Sequence, residues 1–419
     1  DDMTFPFVEY QRRINELRSR MAERLLDAVI ISDAENLLYL TDYQTTGYSF
    51  FQALVVPLEG EPFMVTRKLE ESNVIHRTWV EITRPFPDTG DAIQELISSL
   101  VEFGLAGGTI GYERNSYYFN AYQQDVFRTS FVRSRLMDCF GIVEQSRICK
   151  SQYELDIMQK AATATKAGMQ AGLDMVQAGV TENEIGAAIS QAMFAAGGEI
   201  PSVMPYVTSG PRTMIGHASW EGRTVKPGEH VFLEVGGSYR KYHTAMMRTA
   251  VCGDLSDSMF EAQEKMKKAL NWVKKELRPG MTVSDVDRMV RSILHENKVG
   301  ARLITRSGYS IGIAFPPSWD EGYILSLTQG QSDILRPGMT FHIIPWLWGV
   351  DGDKTCGISD TFYITEKGCG SFFDDFERDF VIKPGTAVSP VKNEDVTPIL
   401  QDVSKAKAAT QKKTKTEIK

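Results

Sequence analysis

Hydrophobic residues recur with two different rhythms along the chain, and the change falls near residue 150. Over residues 1–148, short apolar runs alternate with helical stretches. Tyr10 to Leu25 has helical spacing and runs into DAVIIS, an apolar strand from Ala28 to Ser32. QALVVP (52–57) and PFMVT (62–66) form the arms of a hairpin across Leu58-Glu59-Gly60-Glu61. Ala92 to Phe103 is a further amphipathic helix and GTIGYE (108–113) a further strand, so the first 148 residues predict an α/β domain. The YLTDYQTTGYSFF stretch (39–51) is crowded with aromatic and turn residues. It reads either as an ordered loop packed on the core or, through Tyr48, as a wall of a binding pocket.

From Lys150 the period becomes three to four. Leu155, Met158, Ala162, Thr165, Met169, Leu173 and Val176 predict one long amphipathic helix opening a second domain over 149–384. That domain repeats itself. AGVTENEIGAAISQAMFAAG (178–197) and PGMTVSDVDRMVRSILHENKVG (279–300) each place a Thr three residues before an acid, Thr181 with Glu184 and Thr282 with Asp285. This is a helix-start signature. PGEHVFLEV from Pro227 is echoed by PGMTFHIIP from Pro337, so Glu234 in one copy answers to Ile344 in the other. Two α/β halves related by an internal pseudo-twofold are the architecture implied. Beyond Pro384 large apolar residues almost vanish and Lys392, Lys405, Lys407, Lys412, Lys413, Lys415 and Lys419 appear, which predicts a disordered tail over 385–419.

Charge and cysteine usage narrow the function. The net charge is -8, which disfavours nucleic acid as a partner. The five cysteines are scattered without a C-x-x-C pair, as expected of free thiols in a reducing, cytoplasmic setting. No apolar run approaches the roughly eighteen residues needed to span a bilayer, so no membrane role is expected. Arg12, Arg13, Arg18 and Arg20, interleaved with acids, do not suit a secretion signal.

The chemistry concentrates in IGHASWEGRTVKPGEHVFLEVGGSYRKYHTAMMRT (215–249), which reads as His217 at a strand end, a turn at Pro227-Gly228, a strand carrying Glu234, and a return strand closing on Arg248-Thr249. This frame resembles the central hairpin of the pita-bread hydrolases, the group of methionine aminopeptidase, prolidase, aminopeptidase P and creatinase. In the metal-dependent members a His is followed seventeen residues on by a ligand Asp, and eleven further on by a second. The same spacing here lands on His217, Glu234 and Ala245. The remaining ligand positions of the family fall on Tyr309 in SGYSIGI, Ile344 in IIP and Ser359 in GISD. The resemblance therefore implies a creatinase-like N-terminal α/β domain, a C-terminal pita-bread domain, and a five-ligand cage reduced to one carboxylate. It implies neither a metal nor another cofactor.

What remains is His217, the acid/base position in metal-free creatinase, with Glu234. A carboxylate after Val231-Phe232-Leu233 is a costly choice for a core strand unless it is paired or used, and Arg248 or Lys241 could supply a structural partner. The stretches YSIGIAFPPSWD (309–320) and FHIIPWLWG (341–349) further resemble the ectoine hydrolase branch of the family. On that resemblance Tyr309, Phe315, Trp319, Trp346 and Trp348 line a pocket for a delocalised cation. Arg212 holds a substrate carboxylate, and Asp353 and Asp360 face the cationic end. The expected activity is metal-independent hydrolysis of a non-peptide C–N bond in a small zwitterion such as an ectoine-like cyclic amidine, by a homodimer in which Tyr43 to Phe51 borders the partner's site. Two alternatives stay open. One is a non-catalytic peptidase-like binding module of the histone-chaperone type, and the other a residual Xaa-Pro peptidase.

Overall fold

The computed structural model describes residues 3–388. Its first half is a six-stranded mixed sheet of β1 (Ala28–Ile31), β2 (Ala53–Pro57), β3 (Phe63–Arg67), β4 (Ile82–Phe86), β5 (Thr109–Tyr112) and β6 (Arg135–Asp138), ordered β4-β3-β2-β1-β5-β6. The hairpin read from 52–66 is present, with Ala53 opposite Val65. All four residues of β1 are buried because the strand lies between two cores. Ala28 and Ile30 face one packed by Ala92–Glu102 and Ala121–Ser130, whereas Val29 and Ile31 face the other, which continues into the second half. That explains why β1 shows no polar alternation although its side chains alternate in direction.

The long helix expected after Lys150 spans Gln152–Met175 and opens with a capping box between Ser151 and Glu154. It packs across β8 (His230–Tyr239) and β9 (Tyr242–Cys252), which with β7 (Tyr206–Ser209) before them form most of a second sheet. Gly237 makes that approach possible, since a Cβ there would sit 2.5 Å from the Thr165 hydroxyl and 2.7 Å from the Ala161 carbonyl. Both repeated signatures start helices, Glu182–Ala195 and Val283–His295, with Thr181 and Thr282 as side-chain caps. The second half-domain contributes β10 (Gly308–Ser310), β11 (Ser326–Leu327), β12 (Thr340–Ile343), β13 (Trp346–Val350), β14 (Lys354–Gly357), β15 (Asp360–Ile364) and β16 (Cys369–Ser371). A last strand, β17 (Val381–Lys383), runs parallel to β9. The β8–β9 sheet meets the β10–β12–β15 sheet where Met247 bridges Ser359.

One ionic cluster and one set of hydrogen bonds fix the halves to each other. Glu321 is fully buried and accepts from Lys150 at 2.6 Å, Arg147 at 3.1 Å and Ser310 at 3.0 Å. Burial alone would raise its pKa; Lys150 and Arg147 override that and hold it below the ordinary carboxylate value. Nearby, Phe315 N–H donates to Glu35 and Tyr118 O–H to the Pro316 carbonyl. The segment carrying Trp319 is thereby clamped against the N-terminal sheet. No helix among the described residues is long and apolar enough to cross a membrane. Of the stretch predicted to lack structure, residues 385–388 are described, and Val388 N–H donates to the Ala178 carbonyl. The lysines from 392 onward lie outside the described residues.

Candidate active site

Glu234 sits in the middle of β8, opposite Tyr206 on one side and Met247 on the other. It opens onto a cavity of about 500 Å³ lined also by Val203, His217, Arg306, Tyr309, Trp319, Asp320, Ile344 and Trp346. The residue is 5% exposed. Burial pushes its pKa up to about 8, with the charge of Asp320 adding to the effect and no cation offsetting it. The two structural partners considered for it are engaged elsewhere. Arg248 binds Asp360 and the Ser359 carbonyl, and the Lys241 ammonium lies over the Phe315 ring.

His217 does not end a strand. It follows a short helix, Gly210–Met214, in an irregular exposed loop, and its backbone is left-handed at φ 59°. Such a conformation is uncommon for a side chain with a Cβ and persists only when the surroundings impose it. Contacts of Arg212 and Ser219 brace the loop on either side of it. Arg212 pairs with buried Glu182 and donates to the Ser219 carbonyl at 2.5 Å, while the Ser219 hydroxyl donates to the Pro205 carbonyl. Arg212 therefore anchors the loop and does not line the cavity, contrary to its expected role on a substrate carboxylate. The imidazole lies tilted against Tyr206 with centroids 5.5 Å apart, and Tyr206 in turn meets Trp319 edge-on.

Trp319 lies flat on the β8 backbone at Gly236, where a Cβ would be only 2.5 Å from the ring. Its indole N–H donates to the Tyr309 hydroxyl at 2.9 Å. Tyr309 is 2.6 Å from His342 Nδ1, and His342 Nε2 is 2.6 Å from the Ser359 hydroxyl. Trp346 stacks on Phe232 and forms a further wall, its indole nitrogen buried without a hydrogen-bond partner among the described residues.

Other predicted residues fall outside this cavity. Trp348 packs edge-on behind Trp346. Phe315 lines a neighbouring cleft against the N-terminal domain with Asp33, Glu35 and Arg114, and Tyr48 meets Phe315 edge-on. Asp353 is an exposed turn residue beside Lys354, because β13 and β14 turn away from the site there. Asp360 is buried between Arg248 and Arg378, so its charge is already neutralised. The cavity's charged groups are instead Arg306 and Asp320, 3.3 Å apart, with the guanidinium 4.7 Å above the Tyr309 ring. Neither has a signal in the linear sequence. His342 does, since it lies in the FHIIP stretch two residues before Ile344.

The fold family binds metal at these strands, and the donors present do not fit that use. Ala245 and Ile344 offer none, the Tyr309 hydroxyl is held by Trp319 and His342, and that of Ser359 is held by Met247 N–H and His342. Two ions need several anionic ligands, and Glu234 is the one carboxylate left in the set. Among the described residues no group of three or more His, Cys, Asp or Glu side chains is placed to hold a metal ion.

Comparison with known proteins agrees with this fold. The sequence model of metallopeptidase family M24 matches residues 156–366, and that of the creatinase/prolidase N-terminal domain matches 13–149. The chain is 28% identical to the ectoine hydrolase of Halomonas elongata over 91% of its own length and 99% of that protein. It is 29% identical to an uncharacterized hydrolase/peptidase of Sinorhizobium fredii, over 87% and 94% respectively. Among solved structures, the prolidase of Thermococcus sibiricus superposes with a TM-score of 0.79 at 20% identity, covering 89% of this chain and 99% of that one. The dipeptidase PepE of Mycobacterium ulcerans does so with 0.77 at 23%, covering 91% and 99%. With its family match spanning half the sequence, its pita-bread core and its creatinase-like first domain, the chain belongs to metallopeptidase family M24.

Proposed function

We propose that this protein is a metal-independent hydrolase of a non-peptide C–N bond that opens the ring of an ectoine-like cyclic amidine. The observation that carries the reading is Glu234, a buried carboxylate without a cationic partner, facing a cavity it shares with His217. An amidinium carbon already bears positive charge, so it needs no Lewis acid to become electrophilic, whereas a neutral peptide carbonyl gains much from one. The substrate's cation also supplies the counter-charge that Glu234 lacks, and Tyr309, Trp319 and Trp346 offer it aromatic faces. Arg306, which lines the cavity beside Asp320, takes the substrate carboxylate, the role expected of Arg212.

In the reaction Glu234 draws a proton from the water that attacks the ring carbon, or attacks it directly and is then released by water, and His217 passes the proton that water gives up to the departing nitrogen as the C–N bond breaks. Similarity to an ectoine hydrolase over nearly the whole chain supports this substrate class. A homodimer, with Tyr43 to Phe51 of one copy bordering the other's site, is part of the same proposal. Light scattering of the active protein tests it, and an active monomer at micromolar concentration contradicts it.

The experiment on function follows ectoine by NMR in the presence of EDTA. Ring opening to acetylated diaminobutyrates is expected. Turnover of another amidine or guanidino acid with ectoine inert would keep the mechanism and replace the substrate. Activity that appears only on adding manganese, iron or zinc would overturn the reading.

A further inference from the structure

The most constrained polar group at the cavity is a buried chain running Trp319–Tyr309–His342–Ser359. Its hydrogen bonds can be counted. Ser359 Oγ accepts from Met247 N–H at 2.7 Å and lies 2.6 Å from His342 Nε2. Ser359 is fully buried, and the only acceptor for its hydroxyl hydrogen among the described residues is that ring nitrogen. The hydroxyl therefore donates to Nε2, since a buried donor left unmade is unfavourable. Burial, with Arg306 and Arg248 adding to it, pushes His342 down to about 3, so the ring is neutral and has one N–H. With Nε2 accepting, that N–H is on Nδ1 and donates to Tyr309 Oη at 2.6 Å. Tyr309 also accepts from Trp319 Nε1–H at 2.9 Å.

Both lone pairs of Tyr309 are then occupied by donors and its hydrogen has no acceptor among the described residues. The opposite tautomer would point that hydrogen at His342 and strand the Ser359 hydroxyl. We infer that Tyr309, oriented by His342 and Ser359 as positioning residues, presents its O–H into the cavity as a fixed hydrogen-bond donor to the water-derived oxygen on the attacked carbon. That oxygen gains negative charge as its remaining proton passes toward the departing nitrogen, and it becomes the amide oxygen when the C–N bond breaks. Tyr309 keeps its own proton throughout; burial and the Glu234 charge both keep the phenol protonated. A preset donor aimed at developing charge stabilises the transition state more than the bound substrate. The inference rests on the hydrolase reading for what receives the hydrogen bond, but the tautomer of His342 does not depend on it.

Long-range ¹H–¹⁵N NMR of the full chain labelled in histidine, with His342→Gln for assignment, reads that tautomer without substrate. The expected result is the Nδ1–H form; an Nε2–H form overturns the inference whatever the substrate proves to be. Kinetically, Tyr309→Phe should lower kcat about 10²-fold with KM nearly unchanged, the scale of losing one such donor. An unchanged kcat in a folded Tyr309→Phe protein also overturns it, while leaving the roles of Glu234 and His217 intact.

Discussion

Glu234 and Glu321 are the same residue type at similar depth, and they behave oppositely. Glu321 lies at the seam between domains with two cations and a hydroxyl in contact, which hold its pKa low. Glu234 lies on the cavity with no cation in contact with it among the described residues, feels the charge of Asp320, and is pushed up to about 8. A buried charge that is fully paired is an element of architecture, and one left unpaired is maintained at the expense of stability. On the proposed mechanism, the contrast separates Glu234 from Glu321 more sharply than burial or composition does.

The largest effect that tests the contrast is on turnover. Glu234→Gln preserves shape and removes the base or nucleophile, so kcat should fall by about 10²–10⁴-fold while calorimetry still detects ligand binding. His217→Ala should fall nearly as far. A fully active Glu234→Gln protein would remove the basis of the mechanism.

Stability should move in opposite directions for the two glutamates. Glu234 has a folded pKa above its unfolded one, so its contribution is fully present below about pH 4.5 and is lost as pH rises through about 8. Glu234→Gln should therefore melt higher than the parent at pH 8.5, with the gain shrinking toward pH 5. Glu321 has a depressed folded pKa, so its contribution is present at neutral pH and lost on the acid side. Glu321→Gln leaves Arg147 and Lys150 buried beside a neutral group and should lose about 3–5 kcal/mol in urea titrations at pH 7, less in acid. Equal and same-signed responses would mean that the two environments do not differ as described.

The smallest effect concerns binding. Trp346→Ala should raise KM severalfold with kcat largely kept, since the indole serves as a wall for the cation. A collapse of kcat would instead place Trp346 in the reacting geometry.

The sequence made some of this legible and concealed the rest for physical reasons. Period and capping signatures exposed the helices Gln152–Met175, Glu182–Ala195 and Val283–His295, because those patterns are local. The β8–β9 frame placed Glu234, and motif spacing marked Tyr309 and Ile344 as its neighbours. Arg212 was misread because adjacency to His217 says nothing about direction. Its side chain turns back to Glu182, thirty residues earlier. Asp360 was misread likewise, since its partners Arg248 and Arg378 arrive from distant strands and loops. Arg306 and Asp320 escaped notice because they meet only when the 311–325 segment folds over the sheet, and nothing in their own neighbourhood announces it.

The most direct test of the central claim is the pH dependence of kcat/KM for chelator-treated enzyme between pH 5 and 10. A base that must ionise in the free enzyme gives an ascending limb, and the account places its midpoint near pH 8, where Glu234 titrates. A profile flat across that range, or one that rises only after a transition metal is restored, would contradict it.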